Sequence, residues 1–171
     1  EAYETYLCKL DSVGDVDLIL NDFVTVDCDG RVIEENVNGI KNLGVYDFQA
    51  EPLVSSYYCV HTMTYRAEML REIHYHQSEG MFYTDMQWSV IPMHAVKTCI
   101  YLPIKMYRYL YGREGQSMDP SVLTRTVGQH IAISESLMTY YDQFPDDYKS
   151  GVVYKRVNRE VEVLSRNIYK L

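Results

Sequence analysis

Ala2, Tyr6, Leu7 and Leu10 recur at the spacing of one helix face, and Gly14 marks where that helix should stop. The period then changes. Residues 16–26 are dense in Val, Ile, Leu and Phe, as a strand covered on both faces requires, and Asp29-Gly30 is a hairpin turn signal ahead of residues 31–34. A strand pair is expected there. Residues 36–52 mix Asn, Gly and Pro without a sustained period and read as an irregular connection with room for a short helix. Residues 57–65 are β-branched and aromatic enough for a strand, and Met69, Leu70 and Ile73 carry a helix over 66–74.

Val90, Met93, Ala95 and Val96 predict a helix beginning near Asp85, with Pro92 bending it or confining it to its first turns. Residues 99–102 and 105–111 read as two short strands on either side of Pro103. Val122, Leu123, Val127, Ile131, Leu137 and Met138 give a helix over 120–143, residues 152–171 give a second amphipathic helix, and FPDDYKSG (144–151) breaks the two apart. The expected class is α/β: a mixed sheet flanked by helices, with two helices at the C-terminal end.

A chain of 171 residues suits a single domain spanning 1–171. The formal charge of −8 argues against nucleic acid as a partner, because a backbone binder needs clustered Lys and Arg to replace counterions. Cys8, Cys28, Cys59 and Cys99 form no C-x-x-C pair, and no His stands beside them at ligand spacing, so zinc and redox motifs are not indicated. No apolar run approaches the ~20 residues that span a bilayer. A cytoplasmic location is expected, with peripheral membrane association left open. Seventeen Tyr against one Trp and four Phe is a marked bias, and Tyr offers a flat apolar face together with a hydroxyl. Most of these rings are expected to serve packing.

Chemistry concentrates in residues 80–117, GMFYTDMQWSVIPMHAVKTCIYLPIKMYRYLYGREGQS. Asp85 opens a helix between two aromatic residues, Tyr83 and Trp88, and the aromatic string MYRYLYG leads to a polar loop holding Arg113, Gln116 and Ser117. A carboxylate at a helix start is commonly a cap or a first-turn residue. It could also act as a base, and Arg113 has the fork of donors that suits phosphate.

This order of elements resembles the C-terminal half of family 2 glycosyltransferases of the GT-A fold. There an Asp, usually second in a Glu-Asp pair before an aromatic helix, deprotonates the acceptor hydroxyl, and a Y-x-Y … QS segment follows. Here the pair reads Thr84-Asp85, so only the second carboxylate is retained. DVDLILNDFVTVDCDGRV looks like the strand that follows the family's Asp-x-Asp motif and its next helix, and EAYETYLCKLDSVG looks like that helix. The resemblance covers most of residues 1–118 and implies a partial GT-A-like sheet. It assigns Asp85 as catalytic base, and Tyr83, Trp88, Arg113, Gln116 and Ser117 to substrate binding.

The implied activity is inverting transfer from a nucleotide-sugar donor to a saccharide acceptor, in bacterial surface polysaccharide synthesis. Mg or Mn would be the cofactor, with its main ligands outside this chain, because the resemblance aligns these residues after the family's own Asp-x-Asp motif and nucleotide-binding βαβ units. The chain by itself is then expected to be an inactive fragment. An uncovered sheet edge would also favour self-association. The rival reading is a non-catalytic protein- or glycan-binding module.

Overall fold

The computed structural model describes residues 1–41, 43–49, 58–117, 119–144 and 151–168, which form a mixed α/β structure. They fall into two compact units, one made of Glu1–His74 and Ala95–Arg113, the other of Tyr75–His94 and Glu114–Leu171.

The first unit is a mixed sheet with helices. Helix α1 (Ala2–Val13) precedes β1 (Leu18–Val26), which turns into β2 (Val32–Asn36). The Asp29-Gly30 turn forms as expected. Asp27 Oδ1 accepts from the Asp29 and Arg31 amides at 3.0 and 2.8 Å, and Gly30 takes φ 79°, which a residue without Cβ adopts freely. Strand β3 is only Tyr46–Asp47. Then come a 3₁₀ turn Val60–Thr62, β4 (Met63–Tyr65), α2 (Ala67–Glu72) and the long β5 (Thr98–Leu110).

Strand β1 is central. On one side it pairs antiparallel with β4 through Leu18–Leu20 and with β2 through Phe23–Val26; on the other it runs parallel to β5, which carries β3 on its far edge. Being paired on both sides explains the near-continuous apolar run, since eight of its nine residues are buried. Helix α1 covers Ile19, Ile100 and Leu102 with Tyr6, and Leu10 and Val13 pack against the same cluster. Burying side chains of this size contributes about 1.5–3 kcal/mol each.

Two expectations change. The two strands predicted around Pro103 are one. Proline lacks the N–H that a ladder needs, but here it is exposed and sits where the β1–β5 register slips between Asn21 and Asp22, in a stretch that β3 does not flank. The strand predicted over 57–65 begins only at Met63. The Thr62 amide and hydroxyl both close on the Cys59 carbonyl, at 2.9 and 2.8 Å, and so tighten the preceding residues into the 3₁₀ turn. Tyr57 and, within the irregular connection, residues 42 and 50–52 lie outside the described residues.

Asp17 clasps the base of this sheet. Its Oδ1 accepts from Arg66 Nη2 at 2.8 Å and Nε at 3.2 Å, and its Oδ2 accepts from the amides of Lys97 and Thr98 at 2.9 and 3.1 Å. Burial alone would push this carboxyl up. The Arg66 guanidinium, followed by the two amides, outweighs it and holds the group below its ordinary 3.8.

A group that titrates lower when folded stabilises fully above its unfolded value, and the contribution is lost as pH falls through the folded value. Asp17→Asn is therefore expected to cost about 2–3 kcal/mol at neutral pH, the scale of hydrogen bonds to a buried charge. The gap from wild type should shrink on acidification below 3.8. Urea unfolding of both proteins across pH 2 to 7 measures it, and a gap independent of pH would contradict this account of Asp17.

Candidate functional site

The second unit is helical and contains most of the residues singled out by sequence. Helix α3 (Asp85–Val90) runs into a 3₁₀ segment, Ile91–Ala95, at Pro92, as expected. Two longer helices follow, α4 (Pro120–Tyr141) and α5 (Val152–Ile168). The break predicted at 144–151 lies largely outside the described residues. Asp119 caps α4, accepting from the Ser121 amide at 2.9 Å, and Pro120 occupies the first helical position, where its missing N–H costs nothing.

The segment before α3 is tied down at several points. The Phe82 amide donates to Gln129 Oε1 at 2.8 Å, Gln77 Nε2 to Thr84 Oγ1 at 3.0 Å, and Gln87 bonds the Ser78 amide and hydroxyl at 2.9 and 3.1 Å. At its centre Tyr83 takes φ 67°, a left-handed conformation that a bulky residue adopts only under constraint. The constraint is visible. Its ring stacks on His130 with centroids 4.3 Å apart, and its hydroxyl lies 2.9 Å from Thr126 Oγ1. Since Thr126 gives its own proton to the Val122 carbonyl, Tyr83 is the donor; the Ser117 carbonyl, at 3.4 Å, is a longer second acceptor.

Two residues on, Asp85 is the first residue of α3 and is exposed. The cap position belongs to Thr84, whose side chain caps nothing. The Asp85 carboxylate makes no hydrogen bond or ion pair among the described residues; only its backbone carbonyl is used, by Ser89. Its charge is felt by two buried groups, His130 on α4 and Glu160 on α5.

The structure brings Tyr83 and Ser117 together and leaves Asp85 open at the start of α3. Trp88 is half-buried and meets Tyr75 edge-to-face at 5.7 Å. Gln116 contributes its carbonyl to the Asp119 amide at 2.9 Å. Arg113 is exposed and is the last residue of the first unit. Among the described residues no group of three or more His, Cys, Asp or Glu could hold a metal ion, and no helix is long and apolar enough to cross a membrane.

Sequence periodicity missed the polar interior of this unit. Of the positions assigned to the apolar stripe of α4, Ile131 and Met138 are exposed, while Thr126, His130 and Ser134 are buried beside Val122, Ile133 and Leu137. Helix α5 likewise buries Arg156 and Glu160, paired at 2.6 Å. Burial raises the Glu160 carboxyl against the opposing pull of Arg156, and Asp85 adds to the rise. His130 is 1% exposed, with neither ring nitrogen hydrogen-bonded among the described residues. Burial lowers its pKa against the opposing pull of Asp85. The spacing of 126, 130 and 134, four residues apart, was the available signal, but a reading that counts only apolar residues passes over it.

No protein-family model matches the chain, and neither a curated protein sequence nor a solved structure does.

A buried imidazole without partners is replaceable by a hydrocarbon, and leucine is close in volume. His130→Leu loses the Tyr83 stack but also an unpaired polar ring, so stability at pH 7 should stay within about 1 kcal/mol of wild type. A lowered histidine favours the unfolded chain as pH falls below the ordinary 6.5. The variant should therefore exceed wild type at pH 5. Denaturant unfolding at both pH values tests this, and a variant weaker at pH 5 than at pH 7 relative to wild type would refute it.

Proposed function

We propose that this chain carries the acceptor-side, base-bearing elements of a family 2-type glycosyltransferase, with Asp85 as the base that takes the proton from a saccharide hydroxyl. The observation that carries the reading is the state of Asp85. It begins a helix without capping it, stands open to solvent, and has no partner among the described residues, while Tyr83 is held in a left-handed conformation two residues earlier. Strain of this kind costs of order 1–3 kcal/mol and persists where the surroundings over-determine it. Here the pinned segment fixes the helix start, and with it the carboxylate.

A general base needs a lone pair accessible to the incoming hydroxyl, which a capping or ion-paired carboxylate would lack. Ser117, whose carbonyl the Tyr83 hydroxyl reaches, and Gln116, just before α4, would contribute acceptor contacts. The donor diphosphate and its Mg or Mn would be held by residues outside this chain, consistent with the resemblance of its sequence to the family's C-terminal half.

A second reading, a non-catalytic binding module, draws support from β2. That edge strand exposes Val32 and Ile33, 49% and 54% accessible, with its outer ladder unpaired among the described residues. Activity separates the two.

In an enzyme that joins this chain to a nucleotide-binding half, Asp85→Asn should lower turnover by roughly 10²- to 10⁴-fold, the usual contribution of general-base catalysis. Donor affinity and melting temperature should hold. Asn and Asp serve a helix start almost equally, so turnover retained at wild-type level, measured as nucleoside diphosphate release, would assign Asp85 to structure.

A further inference from the structure

A cleft of about 240 Å³ opens in the first unit beside β1 and β2, lined by Phe23, Glu35, Asn36, Asn38, Cys59 and Thr62 along with Val37. Drug-sized ligands occupy clefts of about 300–1,000 Å³, so this one is sized for something smaller. Its polar groups are already oriented. Asn36 donates through Nδ2 to Thr25 Oγ1 at 3.0 Å, and Asn38 through Nδ2 to the Asn21 carbonyl at 2.6 Å. The Asn38 amide also reaches Asp22 Oδ1 at 2.9 Å, and that carboxylate is anchored in turn by the Tyr101 hydroxyl at 2.7 Å. These bonds orient both side-chain amides, whose carbonyl oxygens accept nothing among the described residues. Fixed acceptors suit hydroxyl donors.

Phe23 supplies an aromatic wall. It meets His61 edge-to-face at 4.3 Å, and His61 stacks on Tyr107 and Tyr109 at 4.8 and 5.5 Å, so four rings brace one another. Tyr107 remains 45% exposed.

Charge decides the ligand class. Glu35 is the one ionised side chain among the lining residues, and Lys105 neutralises it at 2.7 Å. Burial pushes His61 down to about 4, so the neighbouring imidazole is neutral at physiological pH. Lys105 is engaged by Glu35, so a phosphate would meet a compensated pair and not an open cation.

We propose that this cleft binds a single uncharged sugar ring, its hydroxyls donating to Asn36 and Asn38 and its C–H face lying on Phe23. The cleft is built from residues of the first unit, and its test does not involve Asp85. Loss of one activity would leave the test of the other intact.

Cys59 reports occupancy without any substitution. The chain is alkylated with iodoacetamide in the presence of glucose, galactose, mannose or N-acetylglucosamine, and each cysteine is quantified by peptide mass spectrometry. At least one sugar should slow labelling of Cys59 severalfold, while the exposed Cys8 and Cys28 react at unchanged rates. Amide resonances of Phe23, Asn36 and Asn38 should shift with the same sugar, and Asn36→Leu should abolish both effects. Offering that sugar as the end of a short oligosaccharide identifies a free ligand or a chain terminus as the source.

Equal labelling of Cys59 with and without every sugar overturns the proposal. So does equal protection by the acyclic polyol sorbitol, or protection by inorganic phosphate when the sugars give none.

Discussion

The first unit depends on one carboxylate. Asp17 lies just before β1, yet it binds the first turn of α2 through Arg66 and the start of β5 through the Lys97 and Thr98 amides. These partners are 49 and 80 or 81 residues away along the chain. The Asp17 backbone repeats the connection, donating to the Thr98 carbonyl and accepting from the Arg66 amide. A single buried charge thus sets where three elements begin, and the register of the parallel pair β1–β5 follows from it. Beyond that point the ladder tolerates two slips, which is how Pro103 is accommodated without ending the strand.

The second unit is organised on a different principle. Its helices bury polar groups along their facing stripes, and these groups are only partly paired. The Tyr83–Thr126–Val122 chain of hydrogen bonds is complete, and the Arg156–Glu160 pair is close, whereas the His130 ring nitrogens find no hydrogen bond among the described residues. An interior of this kind contributes less to stability than a hydrocarbon one of equal volume. What it supplies is position: Tyr83 is locked from above by its hydroxyl and from the side by its ring, and the start of α3 inherits that rigidity.

Much of the fold was legible from local pattern. The helix α1, the Asp29-Gly30 hairpin, the break of α3 at Pro92 and both C-terminal helices follow from rules that look only a few residues away, although Ala2 and Leu7 of the predicted α1 face are exposed. What escaped was non-local. Nothing near Pro103 says that the chain continues straight, because the reason is the slipped register against β1. Nothing near Asp17 names Arg66 or Lys97. Of the residues singled out in the sequence, Tyr83, Asp85 and Ser117 fall in one unit, but His130 and Glu160 were hidden by being polar on faces expected to be apolar. Their burial is a property of the packed helices and cannot be read from either helix alone.

The parallel pairing of β1 with β5 also bears on how the chain comes together. Leu18 meets Cys99 and Val26 meets Leu110, so the central strand of the sheet has no permanent neighbour on that side until the chain has run 81 to 84 residues further. Closing so large a loop is slow compared with forming a hairpin, and α1, β1 and β2 must wait with an apolar edge uncovered. During synthesis the LILNDFVTV strand is the place where a nascent chain would misassociate, and where a chaperone would find its grip.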